Sequence, residues 1–123
     1  MFNFGIDIVE TARIKRLINK RKNFIPKMFT KKEISYCGSK KNPYPHYASR
    51  FAAKEAFLKA VGSGWQGKLK WTEIEVSNNK YGKPGIIVIK SSKFKGLKKF
   101  KRIELTISHD KNYAVALVAL GYK

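Results

Sequence analysis

Apolar residues change their spacing twice along this chain, and each change marks out elements. Residues 2–9 alternate imperfectly around Ile6, Ile8 and Val9, which predicts a first strand. Ile14, Leu17 and Ile18 then recur at helical spacing, with Arg13, Lys15, Arg16, Lys20 and Arg21 turned outward. This predicts a helix over 12–22 capped by Thr11, after which Pro26 interrupts. Thr30-Lys31-Lys32-Glu33 has the spacing of a capping box and opens a short helix to about Cys37. Gly38 through Pro45 is rich in turn formers and reads as loop. A long helix runs from about Tyr47 to Val61, stopped by a cap at Gly62.

Beyond Gly64 the period falls to two. Ile74 and Val76 alternate with Glu73, Glu75 and Ser77, residues 78–85 form a turn, and Ile86–Ile89 reads as a buried strand. A basic segment follows over 91–101, with a short helix as one option. Residues 101–108 and 113–120 then read as strands joined by a hairpin at His109-Asp110-Lys111-Asn112. Helices gathered early and antiparallel strands late predict an α+β fold, with an antiparallel sheet packed against a long buried helix and shorter ones. Neither a repeat nor a long linker divides residues 1–123, so one domain is expected.

The long helix carries the first chemical signal. Phe51, Ala52, Ala53, Ala56, Phe57, Leu58, Ala60 and Val61 make most of its surface apolar, yet Glu55 and Lys59 lie four residues apart on one face. Alone, such a pair is explained by a rim salt bridge worth a few tenths of a kcal/mol. Asp7 raises a similar question within Gly5-Ile6-Asp7-Ile8-Val9: its carboxylate either points to solvent from an edge strand, or is buried and needs a partner. Together Asp7 and Glu55 would offer two oxygen ligands from two rigid elements. Mg2+ commonly takes one or two carboxylates and completes its shell with water and substrate phosphate. Lys59, one turn beyond Glu55, would supply a point charge for that phosphate.

Composition narrows the field. With 43% hydrophobic residues in 123, the chain has a modest core. It shows no apolar run of membrane-spanning length, and its first residues do not form a signal peptide. The single cysteine, Cys37, excludes an internal disulfide framework and suits a reducing cytoplasm; it reads as a small buried hydrophobe. Lys and Arg number 27 against eight acids, a formal net charge of +19 that draws an anionic partner without choosing one. The same scarcity of acids restricts any carboxylate site to eight residues. Gly62-Ser63-Gly64 and Gly82-Lys83-Pro84 are explained by a helix cap and a tight turn, though small residues also admit a ligand to the backbone. Ser108-His109 lacks the acid that a hydrolytic triad needs.

Gly5-Ile6-Asp7-Ile8-Val9-Glu10 with Arg13-Ile14, then Arg50-Phe51-Ala52-Ala53-Lys54-Glu55-Ala56-Phe57 with Lys59-Ala60, then Gly62-Ser63-Gly64, stand in an order that resembles the holo-(acyl-carrier-protein) synthases. Gly82-Lys83-Pro84 and Thr106-Ile107-Ser108-His109-Asp110 with Tyr113-Ala114 continue the pattern over nearly the whole chain. These enzymes form the short, single-domain type of the 4'-phosphopantetheinyl transferase superfamily. The resemblance implies Mg2+-dependent transfer of 4'-phosphopantetheine from coenzyme A to a serine of an apo acyl carrier protein, releasing adenosine 3',5'-bisphosphate, in support of fatty acid biosynthesis. It assigns the metal to Asp7 and Glu55, and catalysis to Glu55, Lys59 and His109. It assigns the coenzyme to Arg50, Lys59, Gly62, Ser63, Gly64, Gly82, Lys83, Pro84, Ser108 and His109. Either Glu55 or a metal-bound water would take the serine proton. Val9 stands where larger superfamily members carry a second acid, which follows the short type.

The resemblance also accounts for the charge. Acyl carrier proteins are acidic, and Arg13, Lys20 and Arg21 on the first helix are the positions implied to receive one. It further implies a cytoplasmic homotrimer whose active sites lie between subunits, with no nucleic-acid or membrane partner. The competing class is a small basic RNA-binding protein, with Trp65, Trp71, Phe94 and Phe100 as stacking platforms. That reading leaves Asp7 and Glu55 unexplained, and a non-catalytic interaction module explains neither the charge nor the acids.

Overall fold

The computed structural model describes residues 1–62, 69–89 and 95–122. Ser63, Gly64, Trp65 and Phe94, all singled out above, lie outside them. The fold is α+β, as the pattern predicts. Strand β1 (Phe2–Glu10) leads into α1 (Thr11–Lys20), the short α2 (Phe24–Met28), α3 (Lys31–Gly38) and the long α4 (Tyr44–Val61). Strands β2 (Ile74–Asn78), β3 (Pro84–Val88), β4 (Arg102–His109) and β5 (Tyr113–Gly121) follow. All pairings are antiparallel: β1-β5-β4 form one sheet and β2-β3 another.

Helix α4 is the centre of the molecule. Thirteen of its eighteen residues are buried, so it is packed on nearly every side, which explains why its sequence is apolar all round. It lies against β1 and β5, with α1, α3 and β2 around it. The three-stranded sheet turns Gly5, Val9, Leu105, Ala114, Ala116, Val118 and Leu120 inward. By strand alternation Phe2, Phe4, Ile6, Ile8, Tyr113 and Leu117 face outward, and all six are exposed.

Several local expectations change. Thr11 does not cap α1: Glu10 occupies the cap position without a side-chain bond, and the Thr11 N–H donates instead to the Asn112 carbonyl at 2.8 Å. The helix start is thus pinned to the β4–β5 turn rather than by its own hydroxyl. That turn is held by the Asp110 carboxylate, which accepts the N–H groups of Asn112 and Tyr113, each at 2.8 Å. Helix α1 ends at Lys20, two residues short of the predicted end. Pro26 falls within the first turn of α2, where its missing N–H is not needed. Helix α4 begins at Tyr44 inside the predicted loop, with Pro45 accommodated in its first turn for the same reason. In the basic segment, Lys95–Lys99 form a 3-10 turn.

The capping box at Thr30 and Glu33 is present, but it is part of something larger. Glu33 is buried and also accepts the Val76 N–H at 2.8 Å and the Lys54 ammonium at 2.6 Å. Lys54, fully buried, donates further to the carbonyls of Met28 at 2.7 Å and Trp71 at 3.0 Å. Burial, the largest influence, pulls the Lys54 pKa down, and the Glu33 charge and hydrogen bond oppose it. With its three donors satisfied, this lysine ties α4 to α3, to the end of α2 and to the segment entering β2. Removing one partner of such a pair typically costs about 3–5 kcal/mol.

Candidate active site

The carboxylates predicted to share a site are brought together by a glycine. A Cβ on Gly5 would lie 1.9 Å from the Ala56 carbonyl oxygen and 2.6 Å from the Ala60 nitrogen. Backbone therefore meets backbone where β1 crosses α4, and only Gly5 opposite the small Ala52, Ala56 and Ala60 allows it. Asn3 reinforces the seam by donating to the Ala60 carbonyl at 3.1 Å. Two residues on from Gly5, Asp7 points to the same inner face, 15% exposed, beside Glu55 and Lys59. It does not turn to solvent, although β1 is an edge strand.

Lys59 pairs with Asp7, Nζ to Oδ1 at 3.0 Å, and also donates to the Ile6 carbonyl at 3.1 Å. The i,i+4 bridge to Glu55 that spacing alone suggests is not the contact formed. Glu55 is half-buried, and its carboxyl is pushed above the usual range, first by burial and then by the Asp7 charge; Lys59 and Arg13 oppose the rise. A Glu55 carboxyl raised in part by the Asp7 charge, with one cation beside the pair, suits a divalent cation, which would relieve the repulsion. Among the described residues no third His, Cys, Asp or Glu joins them, so water or substrate would complete the shell.

A second cluster lies at the far edge of the same sheet. Arg50, Gly82, Pro84 and His109 line a cleft of about 220 Å³ with His46 and Asn78. Arg50 is 4% exposed; its Nη2 donates to Asn78 Oδ1 at 2.8 Å, its guanidinium lies 4.0 Å from the Tyr36 ring centroid, and its Nε has no hydrogen-bond partner. Gly82 takes φ +84°, which the tight turn requires of a glycine. Lys83 lines an adjoining cleft of about 360 Å³ on the sheet face. Ser108 stays outside the cleft, because alternation turns it to the outer face while His109 faces inward. Gly62 ends α4 at φ +89° and ψ −167°, a positive-φ conformation with extended ψ rather than the left-handed helical cap expected.

The structure separates these two clusters within one chain. Asp7 stands opposite Ala116 and Ala116 opposite Ile107, with His109 two residues further along β4. The intervening β5 puts the two strands roughly 10 Å apart.

The basic residues of α1 border a third feature. Arg13 and Arg21 line a groove of about 570 Å³ floored by Leu17, Phe24, Phe51 and Trp71, whereas Lys20 is exposed outside it. Lys22 and Lys27, not singled out by sequence, add to its rim. Arg13 acts on the Glu55 charge as well, so the groove approaches the carboxylates. Trp71 stacks on Phe51 with centroids 5.4 Å apart, and Phe100 packs on Tyr122 at 5.2 Å. Both are engaged within the fold rather than offered as base-stacking platforms. Sequence reasoning also missed His46, Tyr36 and Asn78, which carry no signal until α3, α4 and the β2–β3 turn converge.

Comparison with known proteins gives a concordant result. Residues 3–118 match the profile of the 4'-phosphopantetheinyl transferase superfamily. A holo-[acyl-carrier-protein] synthase of Caldanaerobacter subterraneus is 41% identical over 95% of this chain and 93% of its own length. One of Chloroherpeton thalassium is 43% identical over 94% of each. Among solved structures, a holo-(acyl-carrier-protein) synthase of Bacillus anthracis in complex with CoA (3',5'-ADP) superposes with a TM-score of 0.82 at 35% identity, covering 98% of this chain and 96% of that one. The Helicobacter pylori enzyme in complex with coenzyme A gives 0.83 at 30% identity, over 96% and 99%.

Proposed function

Since the chain belongs to the 4'-phosphopantetheinyl transferase superfamily, as a holo-(acyl-carrier-protein) synthase, we propose that it moves 4'-phosphopantetheine from coenzyme A to a serine of an acidic apo acyl carrier protein. The reaction releases adenosine 3',5'-bisphosphate and serves fatty acid biosynthesis in the cytoplasm. The observation that carries this reading is the convergence of Asp7, Glu55 and Lys59 where β1 meets α4.

In this proposal Asp7 and Glu55 hold Mg2+, which when bound supplies charge neutralisation at the pyrophosphate. The chain's own residues do the rest. Lys59, half-exposed at its tip, offers a mobile cation beside the carboxylates. Glu55, its carboxyl pushed above the usual range by burial and the Asp7 charge, is the candidate acceptor for the serine proton. Arg50 and His109 receive the coenzyme at the other cluster, bordered by Gly82, Lys83 and Pro84. Phosphoryl transfer asks mainly for positioning and charge neutralisation, which these groups provide without a covalent intermediate.

The carrier binds the groove beside α1. Arg13 and Arg21 meet its acids, and Leu17, Phe24 and Phe51 meet its apolar side chains. The outer sheet face supports the homotrimer: Phe4, Ile6 and Ile8 are 64%, 59% and 65% exposed, a contiguous apolar surface uncommon on monomers. Association there also gives the separated clusters a way to meet, with one chain's Asp7 and Glu55 facing another's His109.

Incubation with coenzyme A, Mg2+ and an apo carrier tests the proposal by intact mass. The carrier gains one phosphopantetheine and the gain is lost with a chelator. No gain with any carrier, alongside tight and salt-sensitive RNA binding, would overturn it.

A further inference from the structure

Tyr36, near the end of α3, is the hub of a cationic cluster. The Arg50 guanidinium lies 4.0 Å and the Lys40 ammonium 4.6 Å from its ring centroid, and His46 meets it edge-on at 5.8 Å. His46 in turn meets His109 of β4 at 5.9 Å. Basic side chains of α4 and β4, namely His46, Arg50 and His109, thus line one cleft with Lys40 beyond the Tyr36 ring, and among the described residues no carboxylate lines it. Asp110, next to His109 in the chain, is committed to the N–H groups of its own turn. Cation–π contact offsets part of the mutual repulsion. It supplies no counter-charge. The buried Arg50 Nε without a partner is a further donor left over.

His46 reports the strain of this arrangement. Its pKa is held below the usual imidazole value, first by burial, then by Lys40, His109 and Arg50. These three are the charged groups acting on it, and all oppose its protonation. An anion in the cleft would reverse their combined effect.

We propose that His46 is a phosphate-binding residue, closing with Arg50 and His109 on a phosphate group of the coenzyme and taking up a proton as that phosphate binds. This rests on the transferase reading for the identity of the ligand, and on the cleft alone for the site. Linkage fixes the sign: a phosphate that favours the imidazolium raises the His46 pKa, so affinity falls as pH rises through the imidazole range.

The test is an NMR titration of the His46 ring, free and saturated with adenosine 3',5'-bisphosphate. The expected result is a rise of about one unit or more, equivalent to tenfold tighter binding by the protonated form. His46→Gln should bind the bisphosphate about three- to eightfold more weakly at pH 6 and nearly as well as the parent at pH 8.5. Coenzyme A and its 3'-dephospho form, run side by side, separate the phosphomonoester from the pyrophosphate as the group bound. An unmoved His46 titration, absence of bisphosphate binding, or equal affinity of His46→Gln at both pH values would overturn the proposal. A chain that shifts His46 yet loads no carrier keeps this site and loses the transferase reading. One that loads carriers with His46 unmoved loses only this proposal.

Discussion

Cys37 shows how strongly the interior acts on a single ionisable group. The thiol is fully buried, and burial pushes its pKa up to about 11 from 9.0, with Arg50, Lys54 and Lys40 lowering it and Glu33 raising it. At pH 8 about one thiol in a thousand is ionised, so alkylation should be slow until the chain unfolds. The sign of the pH effect follows. Between pH 9 and 11 the unfolded chain releases this proton and the folded chain keeps it, so stability falls as pH rises, by up to about 3 kcal/mol. Urea midpoints at pH 8 and pH 10.5 should fall further apart for the parent than for Cys37→Ala; equal pH dependence would remove Cys37 from the account. At this scale the sequence was readable where a charge broke an apolar pattern, as at Asp7 and Glu55. It was silent at Lys54, although that residue stands in the same apolar helix, because its partner Glu33 lies 21 residues away and already had a role in the capping box. His46 was silent too, since a lone histidine acquires meaning only from Tyr36, Arg50 and His109 around it.

The crossing of β1 over α4 is the element-level feature on which the site depends. Gly5 lets the strand reach the helix backbone, and that approach sets Asp7 beside Glu55 and Lys59. Gly5→Ala forces the two backbones apart, since neither Ala56 nor Ala60 offers a flexible atom to give way. The expected cost is about 1–3 kcal/mol in urea unfolding, with a loss of transfer rate larger than stability alone explains. A variant as stable and active as the parent would show that the close approach is not needed. The elements themselves were largely legible, because helical spacing and strand alternation are local signals. The misplaced boundaries share a cause: tertiary partners decided them. The Asn112 carbonyl replaced Thr11 as the cap of α1, and packing of Tyr47 and Ala48 carried α4 back through a stretch of turn formers.

For the whole molecule, the two clusters at opposite sheet edges and the apolar outer face make one argument. A chain that keeps Asp7 on β1 with Glu55 beside it on α4, and His109 on β4 with β5 between, fits the proposal that the site is completed by association. Mixing inactive Glu55→Gln and His109→Ala copies, after dissociation and reassembly, should therefore restore part of the transfer activity; no recovery from a confirmed mixed oligomer would place the whole site within one chain. Sequence could not show this, because strand order is a long-range property and exposure of Phe4, Ile6 and Ile8 cannot be read from alternation alone. The most direct test of the central claim is carrier loading by Glu55→Gln, read by intact mass beside a thermal melt. The prediction is a rate at least about a hundredfold below the parent with the fold retained. Loading at the parental rate by a folded Glu55→Gln protein would contradict the assignment of the carboxylate pair as the site of transfer.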